Sequence, residues 1–589
     1  MAVWIAGITR GHNGSTCLLK DGEVVFYLEE ERLSRKKYDG GPLAGLLKIK
    51  EYTNKLDHLV IAHTQSLDTA GKIDFSGDDM YTGFARKIGL IENSHESPHP
   101  QVIDLGLIHH ELHAACTFYN SGFETATCVI VDGAGTFVSL GENGEVGFEL
   151  ETVFEASYPA NFDTYYKHIG VRGPQTSFEK LQVPHKHRGK ENLHDVVFTD
   201  HPGITKVYEA MTDYCGFSFI EAGKAMGLSS YGKPNENIPP IFLGSEAHRM
   251  SNRNLFTPNY PNGAYVDKVL YPYLNTDNLE VQQDLAWAVQ DATQKEMIAL
   301  ILKAVERTGN KNVCIAGGFG LNCVANYEYK KHLPKDINLY VEPISHDGGT
   351  SMGAAKMVWH DITKDMTIRK QKNIYYGPNY YELNDGYALK LNSQDTVKEN
   401  VTYEDVAQLI AEENIVCMYQ GGSEAGPRAL GNRSIMFDPR VLNGKDIVNE
   451  VKHREWFRPF AGTILEEHVH EWFDLQGMDS TPHMMYAVDC QPGIAEKIPS
   501  IIHVDGTCRI QTVNEEQNKH YYNLISTFKE KTGVPILFNT SFNLGGEPLV
   551  ETIDDALNTL RNSDLNYLYL PEVKMLITVP YNLRAEADE

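Results

Sequence analysis

His109 and His113, in the stretch LIHHELHAA (107–115), are one helical turn apart. That spacing sets two imidazoles side by side on one helix face, where they can share a metal ion. His110 and Glu111 begin a near miss to the zinc-protease pattern His-Glu-x-x-His, but position 114 is alanine, so proteolytic chemistry is not indicated. Two aspartates extend the set: Asp132 ends the apolar run in ATCVIVDGAG (126–135), and Asp347 stands in ISHDGGTS. Two imidazoles and two carboxylates form a donor set suited to Fe(II), Mn(II) or Zn(II). Taken singly, Asp132 serves equally as a turn former and the histidines as hydrogen-bonded core residues. Sequence alone does not bring the three segments together.

Other residues suit anions. GGFGLN (317–322) lets the backbone of Gly317 and Gly318 approach a ligand, with Asn322 as donor and acceptor, and EAGKAMGLSSYGK (221–233) adds Lys224 near a helix end. Nucleotide phosphates are one reading of these segments; a plain strand-helix connection and a solvated loop are the others. Later in the chain, GGSEAGPRALGNRS (421–434) carries Arg428 and Arg433, and KHREWFRPF (452–460) carries Lys452, Arg454 and Arg458 beside aromatics. Arg509 and the NTSFN segment (539–543), with Ser541 and Asn543, add a guanidinium, hydroxyls and amides. Guanidinium forks match phosphate or carboxylate oxygens, and salt bridges to the abundant acids are the competing use.

The elements that must hold these residues follow from periodicity. VWIAGI is a short buried strand, and STCLLK and EVVFYLE flank Asp21-Gly22, a hairpin dipeptide. ATCVIV, NVCIA and NLYVEP read as further strands, 279–308 as a long helix, and the segment after SHDGG as another helix. Strands whose glycine-rich ends open onto helices belong to an α/β nucleotide-binding core. From 361 the texture turns polar and tyrosine-rich. We place the linker at 361–374, between a first domain at 1–360 and a second α/β domain at 375–589 that opens with a helix at 403–413 and the strand IVCMYQ.

A chain of 589 residues exceeds one core. Its 79 acidic against 53 basic residues argue against a nonspecific nucleic-acid or membrane-surface binder. The nine cysteines are scattered without a C-x-x-C pair, which points to reduced, buried thiols, and neither a signal segment nor a long apolar span is present. Cytoplasmic residence and no membrane partner are expected.

HNGS, EEERLSRKKY, IHHELHAA, VDGAG, GKAMGL, AGGFGLN, SHDGGTSMGAA, GPRALGNRS, HREWFRPF and FNTSFNLGGEP occur here in the order seen in ATP-dependent O-carbamoyltransferases. The chain resembles that family, which acts on nodulation factors, cephems and aminoglycosides, over nearly its whole length. The resemblance implies an N-terminal actin-like (ASKHA) duplicated ATPase-type domain and a C-terminal YrdC-like domain. It implies a metal, Fe(II) or alternatively Mn or Zn, on His109, His113, Asp132 and Asp347, with Mg accompanying ATP. Lys224, Gly317, Gly318 and Asn322 would face the nucleotide. Carbamoyl phosphate would sit on Arg428, Lys452, Arg458, Arg509, Ser541 and Asn543, and be converted with ATP to carbamoyl-adenylate. The carbamoyl group would pass to a hydroxyl of a small acceptor such as a sugar, nucleotide or natural product. His12 matches the family's histidine near the acceptor and is the candidate general base; Lys37 matches a lysine of the same cleft. Nucleic acid enters only as an acceptor, a hydroxymethylated pyrimidine held by the basic stretch 162–192, and a homodimer is left open. A noncatalytic nucleotide- or metal-binding regulator on the same fold is the reading from another class.

Overall fold

The computed structural model describes residues 2–63, 74–75, 78–139, 146–171, 180–184, 193–199, 202–242, 255–258, 264–384 and 386–580. The chain folds into two compact units, residues 1–30 with 38–371, and residues 31–37 with 372–589.

The first unit opens with the Trp4–Arg10 strand and the Ser15–Lys20/Glu23–Glu29 hairpin. Asp21 and Gly22 both take positive φ, the conformation that a two-residue hairpin turn requires. The hairpin pairs antiparallel with Trp4–Arg10, whose other edge runs parallel to His58–His63, which is parallel in turn to Val102–Asp104. In order of sequence the sheet therefore reads 3-2-1-4-5.

A second sheet in this unit repeats the pattern. Thr125–Val131 pairs antiparallel with Val146–Ser157, which pairs antiparallel with Asn161–Val171; on the other edge Thr125–Val131 runs parallel to Asn312–Ala316, and that strand parallel to Asn338–Val341. Over these five strands the order and the sense of each pair match the first sheet, so the unit contains one motif twice; the second sheet adds Phe137–Ser139, Leu193–Thr199 and Lys180–Pro184.

Helix His109–Ser121 is buried on nearly every face, ends at Gly122 in the left-handed region, and packs on helix Gly349–Thr363. The two backbones approach so closely that a Cβ at Gly353 would lie 2.1 Å from the Leu112 carbonyl oxygen. This contact sets the turn before the second helix, with Asp347, beside the histidines of the first. Helix Leu279–Thr308 is capped by the Asn278 side chain and closed by Gly309 at φ +71°.

The second unit is built on a ten-stranded sheet. Its middle strands, Val416–Tyr419, Arg433–Phe437, Ile536–Ser541, Ala461–Leu465 and Thr507–Val513, are dominated by buried apolar residues, as expected of a sheet covered on both faces. Helices Tyr403–Ala411 and Ile553–Arg561 each begin with a complete capping box, on Thr402/Asp405 and Thr552/Asp555. All nine cysteines are free and eight are buried. Among the described residues no helix is long and apolar enough to cross a membrane.

Candidate metal and anion sites

His109 and His113 project from the first two turns of their helix, Asp132 follows the Thr125–Val131 strand, and Asp347 precedes Gly349–Thr363. Their ligand atoms all lie within 4.8 Å of one another, and all four residues are buried. The His109 and His113 Nε2 atoms are 3.2 Å apart. His109 Nε2 is 3.5 Å from Asp132 and 3.4 Å from Asp347, and His113 Nε2 is 3.5 Å from Asp347. A first-row divalent ion bonded at about 2.1 Å to tetrahedral donors holds those donors about 3.4 Å apart. Four edges of the cluster have that length, so the residues fit a metal ion.

The electrostatics agree. Burial opposes a charge on His109, yet the carboxylates of Asp347 and Asp132 push its imidazole up to about 10. Burial likewise works against charge on Asp132 and Asp347, and the histidines outweigh it and hold both carboxyls below the usual range. A bound metal ion would take over from the imidazolium proton as the charge partner of the two carboxylates.

Surrounding groups fix the ligands. The Gly318 amide donates to Asp132 Oδ1 at 2.9 Å, and the His109 amide donates to Thr136 Oγ1 at 3.2 Å. His346 pairs with Glu29 at 3.0 Å and accepts the Gly348 amide on Nδ1, which locks the turn carrying Asp347. His110 points elsewhere, to Thr152 Oγ1, and burial drives its pKa down to about 4. His12 Nδ1 lies 3.6 Å from Asp347 Oδ2 on a half-exposed side chain, beside the His/Asp cluster and open to solvent.

The other first-unit expectations divide. Gly317 packs its backbone closely against Val131 at the end of the strand before Asp132, and Gly318 donates its amide to the Asp132 side chain. The Asn322 side chain caps helix Cys323–His332 through the Ala325 amide and forms a paired amide contact with Gln290. Lys224 pairs with Glu221 at 2.8 Å. Lys37 pairs with Glu31 at 3.2 Å, in the short segment that folds with the second unit. In the same segment Arg32 donates to the Glu424 and Gly426 carbonyls and Arg35 to those of Leu549 and Pro548. Lys167 and His168, part of the basic stretch, are paired with Glu149 and Glu151; residues 172–179 and 185–192 of that stretch lie outside the described residues.

In the second unit Lys452 Nζ donates to the Ser541 carbonyl and lies 3.4 Å from Ser541 Oγ and 3.2 Å from Asn543 Oδ1. Burial, then Arg454 and Arg458, press the Lys452 ammonium well below its ordinary pKa. Arg454 is depressed in the same way by burial and by Arg458 and Arg509. Four cations are thus gathered into one place, an arrangement that an anion relieves. Arg458 also approaches Glu455 at 3.7 Å, and Arg428 is half-buried in the preceding glycine loop. Arg433 is corrected: it is fully buried, donates to the carbonyls of Gln420, Gly421 and Glu551, and stacks on Tyr419, all structural uses.

Sequence reasoning missed Lys206 and Glu209. In helix Gly203–Tyr214 the periodicity places them on the polar side, whereas both are buried and joined at 2.8 Å.

The family models described as Carbamoyltransferase N-terminus and Carbamoyltransferase C-terminus match residues 71–356 and 407–576. Nodulation protein NolO of Bradyrhizobium diazoefficiens is 30% identical over 78% of this chain and 77% of its own. Nodulation protein NolNO of Sinorhizobium fredii is 28% identical over 95% of this chain and 78% of its own. Among solved structures, full-length HypF in its phosphate- and nucleotide-bound form is 14% identical, with a TM-score of 0.35, over 62% of this chain and 56% of that one.

Proposed function

We propose, for a chain that belongs to the carbamoyltransferase family and is therefore an enzyme that transfers carbamoyl groups, an ATP-dependent route to a hydroxyl acceptor by way of carbamoyl-adenylate. The observation that carries the donor half is the cation cluster of Lys452, Arg454, Arg458 and Arg509. Carbamoyl phosphate is recognised there as an anion, with Arg428, Ser541 and Asn543 supplying further polar contacts. Water releases phosphate and leaves carbamate, whose oxygen displaces pyrophosphate from the α-phosphorus of ATP. The guanidinium groups offset charge as it develops on the phosphates, where a low-dielectric pocket strengthens each contact.

In the first unit, His109, His113, Asp132 and Asp347 would hold an Fe(II), Mn(II) or Zn(II) ion, while Mg travels with ATP. When bound, such an ion supplies a fixed positive charge for phosphate oxygens. His12, beside Asp347 and partly exposed, takes the proton of the acceptor hydroxyl as its oxygen attacks the carbamoyl carbon and AMP leaves. Lys37 and Lys224 are secondary candidates for contacting the reacting carbamoyl group and the nucleotide. The doubled 3-2-1-4-5 sheet supports an actin-like reading of the first unit. The YrdC-like reading of the second rests on its motifs.

The test separates the two halves. With ATP, Mg, metal ion and carbamoyl phosphate but no acceptor, mass spectrometry should find carbamoyl-adenylate and pyrophosphate. Arg458→Ala should abolish both, whereas His12→Ala should still form the adenylate and fail in transfer. If both variants fail at the same step, the division of labour is wrong.

A further inference from the structure

Helix Gly203–Tyr214 is pinned at its start. The Ile204 amide donates to Glu151 Oε1 at 2.7 Å, and Glu151 is held by His168 from the next strand. Less than a turn further, Lys206 and Glu209 are joined at 2.8 Å, their side chains 2% and 11% exposed. Glu209 Oε2 takes the lysine. Its other oxygen, Oε1, is directed at the turn that follows Asp132, because a Cβ at Gly133 would lie 2.4 Å from it. Gly133 directly follows Asp132, so this contact sets the Glu209 side chain beside the candidate metal quartet; burial raises the carboxyl's pKa and the Lys206 ammonium opposes that rise.

A buried ion pair adds little stability, since apolar residues of similar volume serve a core as well or better. Its place beside the reacting groups calls for another use. A carboxylate can only accept hydrogen bonds, and it discriminates strongly against ligands that leave it unpaired.

We propose that Glu209, oriented by Lys206, is an acceptor-specificity residue: it accepts a hydrogen bond from a second O–H of the acceptor, next to the hydroxyl that receives the carbamoyl group. The acceptor class is then a polyol in which hydroxyls neighbour one another. This inference rests on the hydroxyl-transfer reading above.

The experiment uses the full chain, loaded with metal, ATP and carbamoyl phosphate, and matched probes with and without neighbouring hydroxyls: myo-inositol against cyclohexanol, and uridine against 2′,3′-dideoxyuridine. Wild type should prefer the polyol of at least one pair. Glu209→Leu, and the paired replacement Lys206→Met/Glu209→Leu that leaves no unpaired charge, should lose about 10- to 100-fold in kcat/KM for that polyol and far less for its partner, the range expected for one hydrogen bond to a charged group. Glu209→Gln, which keeps an acceptor oxygen, should retain part of the preference. If wild type shows no preference for polyols, transfers to none of them, or keeps its preference in the folded double variant, the inference is overturned. Absence of pyrophosphate release by wild type before any acceptor is added would instead refute the donor chemistry.

Discussion

Gly317→Ala offers a quantitative test of how Asp132 is held in the candidate metal site. Gly317 adopts φ +92° and ψ 160°, a region open essentially to glycine alone. An added Cβ would stand 2.2 Å from the Val131 carbonyl oxygen, against an ordinary contact of 3.4 Å or more, so the strand end must retreat by more than an ångström. The backbone term costs about 1–3 kcal/mol and the overpacking about 1–3 kcal/mol. Their sum is about 2–6 kcal/mol. Gly309→Ala is the internal control: φ is +71°, and nothing lies within 4 Å of the added methyl, so only the left-handed backbone cost of about 1–2 kcal/mol applies. The retreat moves Asp132, the next residue, and breaks its bond from the Gly318 amide. Losses of this kind weaken metal binding about 10- to 100-fold. Denaturant unfolding of both variants, followed by calorimetric titration with Mn(II) or Zn(II), measures each term. Equal stability losses in the two variants, or wild-type metal affinity in Gly317→Ala, would refute the reasoning.

If His113 is part of a metal site, Zn(II) or Mn(II) should raise the wild-type melting temperature and His113→Ala should abolish that rise, read by differential scanning calorimetry with and without chelator. Phosphate at a hundred times its Kd should stabilise the second unit by about 2.7 kcal/mol, and Arg458→Ala should lose that gain. Arg454→Met should weaken carbamoyl-phosphate binding at least about tenfold while leaving the ligand-free protein equally or more stable, because repulsion among buried cations is relieved. His110, buried and neutral, has its pKa lowered from 6.5 to about 4. The unfolded state therefore takes up the proton first, and stability falls as pH drops from 6.5 to 4, by about 3 kcal/mol at most. His110→Gln should flatten that part of the stability-pH curve, and an unchanged slope would contradict it.

The elements around the site were legible wherever local chemistry decides: the Asp21-Gly22 hairpin, the capped 279–308 helix, and apolar strands ending in an aspartate or a glycine. The metal quartet was readable as a donor set because each ligand has a local signature, a helical spacing or a strand end. What brings its three segments together is long-range: two sheets of like topology and a helix contact at Gly353 that no periodicity announces. Arg433 misled because a guanidinium group serves ligands and buried backbone carbonyls equally well, and only burial tells the two apart. Lys206 and Glu209 failed in the opposite direction. A Lys/Glu pair three residues apart looks like a solvated helix face, and the Gly133 turn against which it packs lies far away in sequence.

The two sites also show why the acidic balance of the whole chain says so little about its ligands. In the first unit two carboxylates, Asp132 and Asp347, are buried within reach of the same imidazoles, and only positive charge can make that arrangement comfortable. In the second, burial and neighbouring guanidinium groups hold Lys452 and Arg454 below their ordinary range, with Glu547 and Glu455 only partly offsetting them, and a bound anion would relieve them further. Isolated buried charges of either sign are costly to a fold. A protein that keeps a carboxylate-rich pocket in one unit and a cationic pocket in the other therefore holds two complementary ligand charges in reserve. A divalent cation suits the first pocket and a phosphate-bearing anion the second.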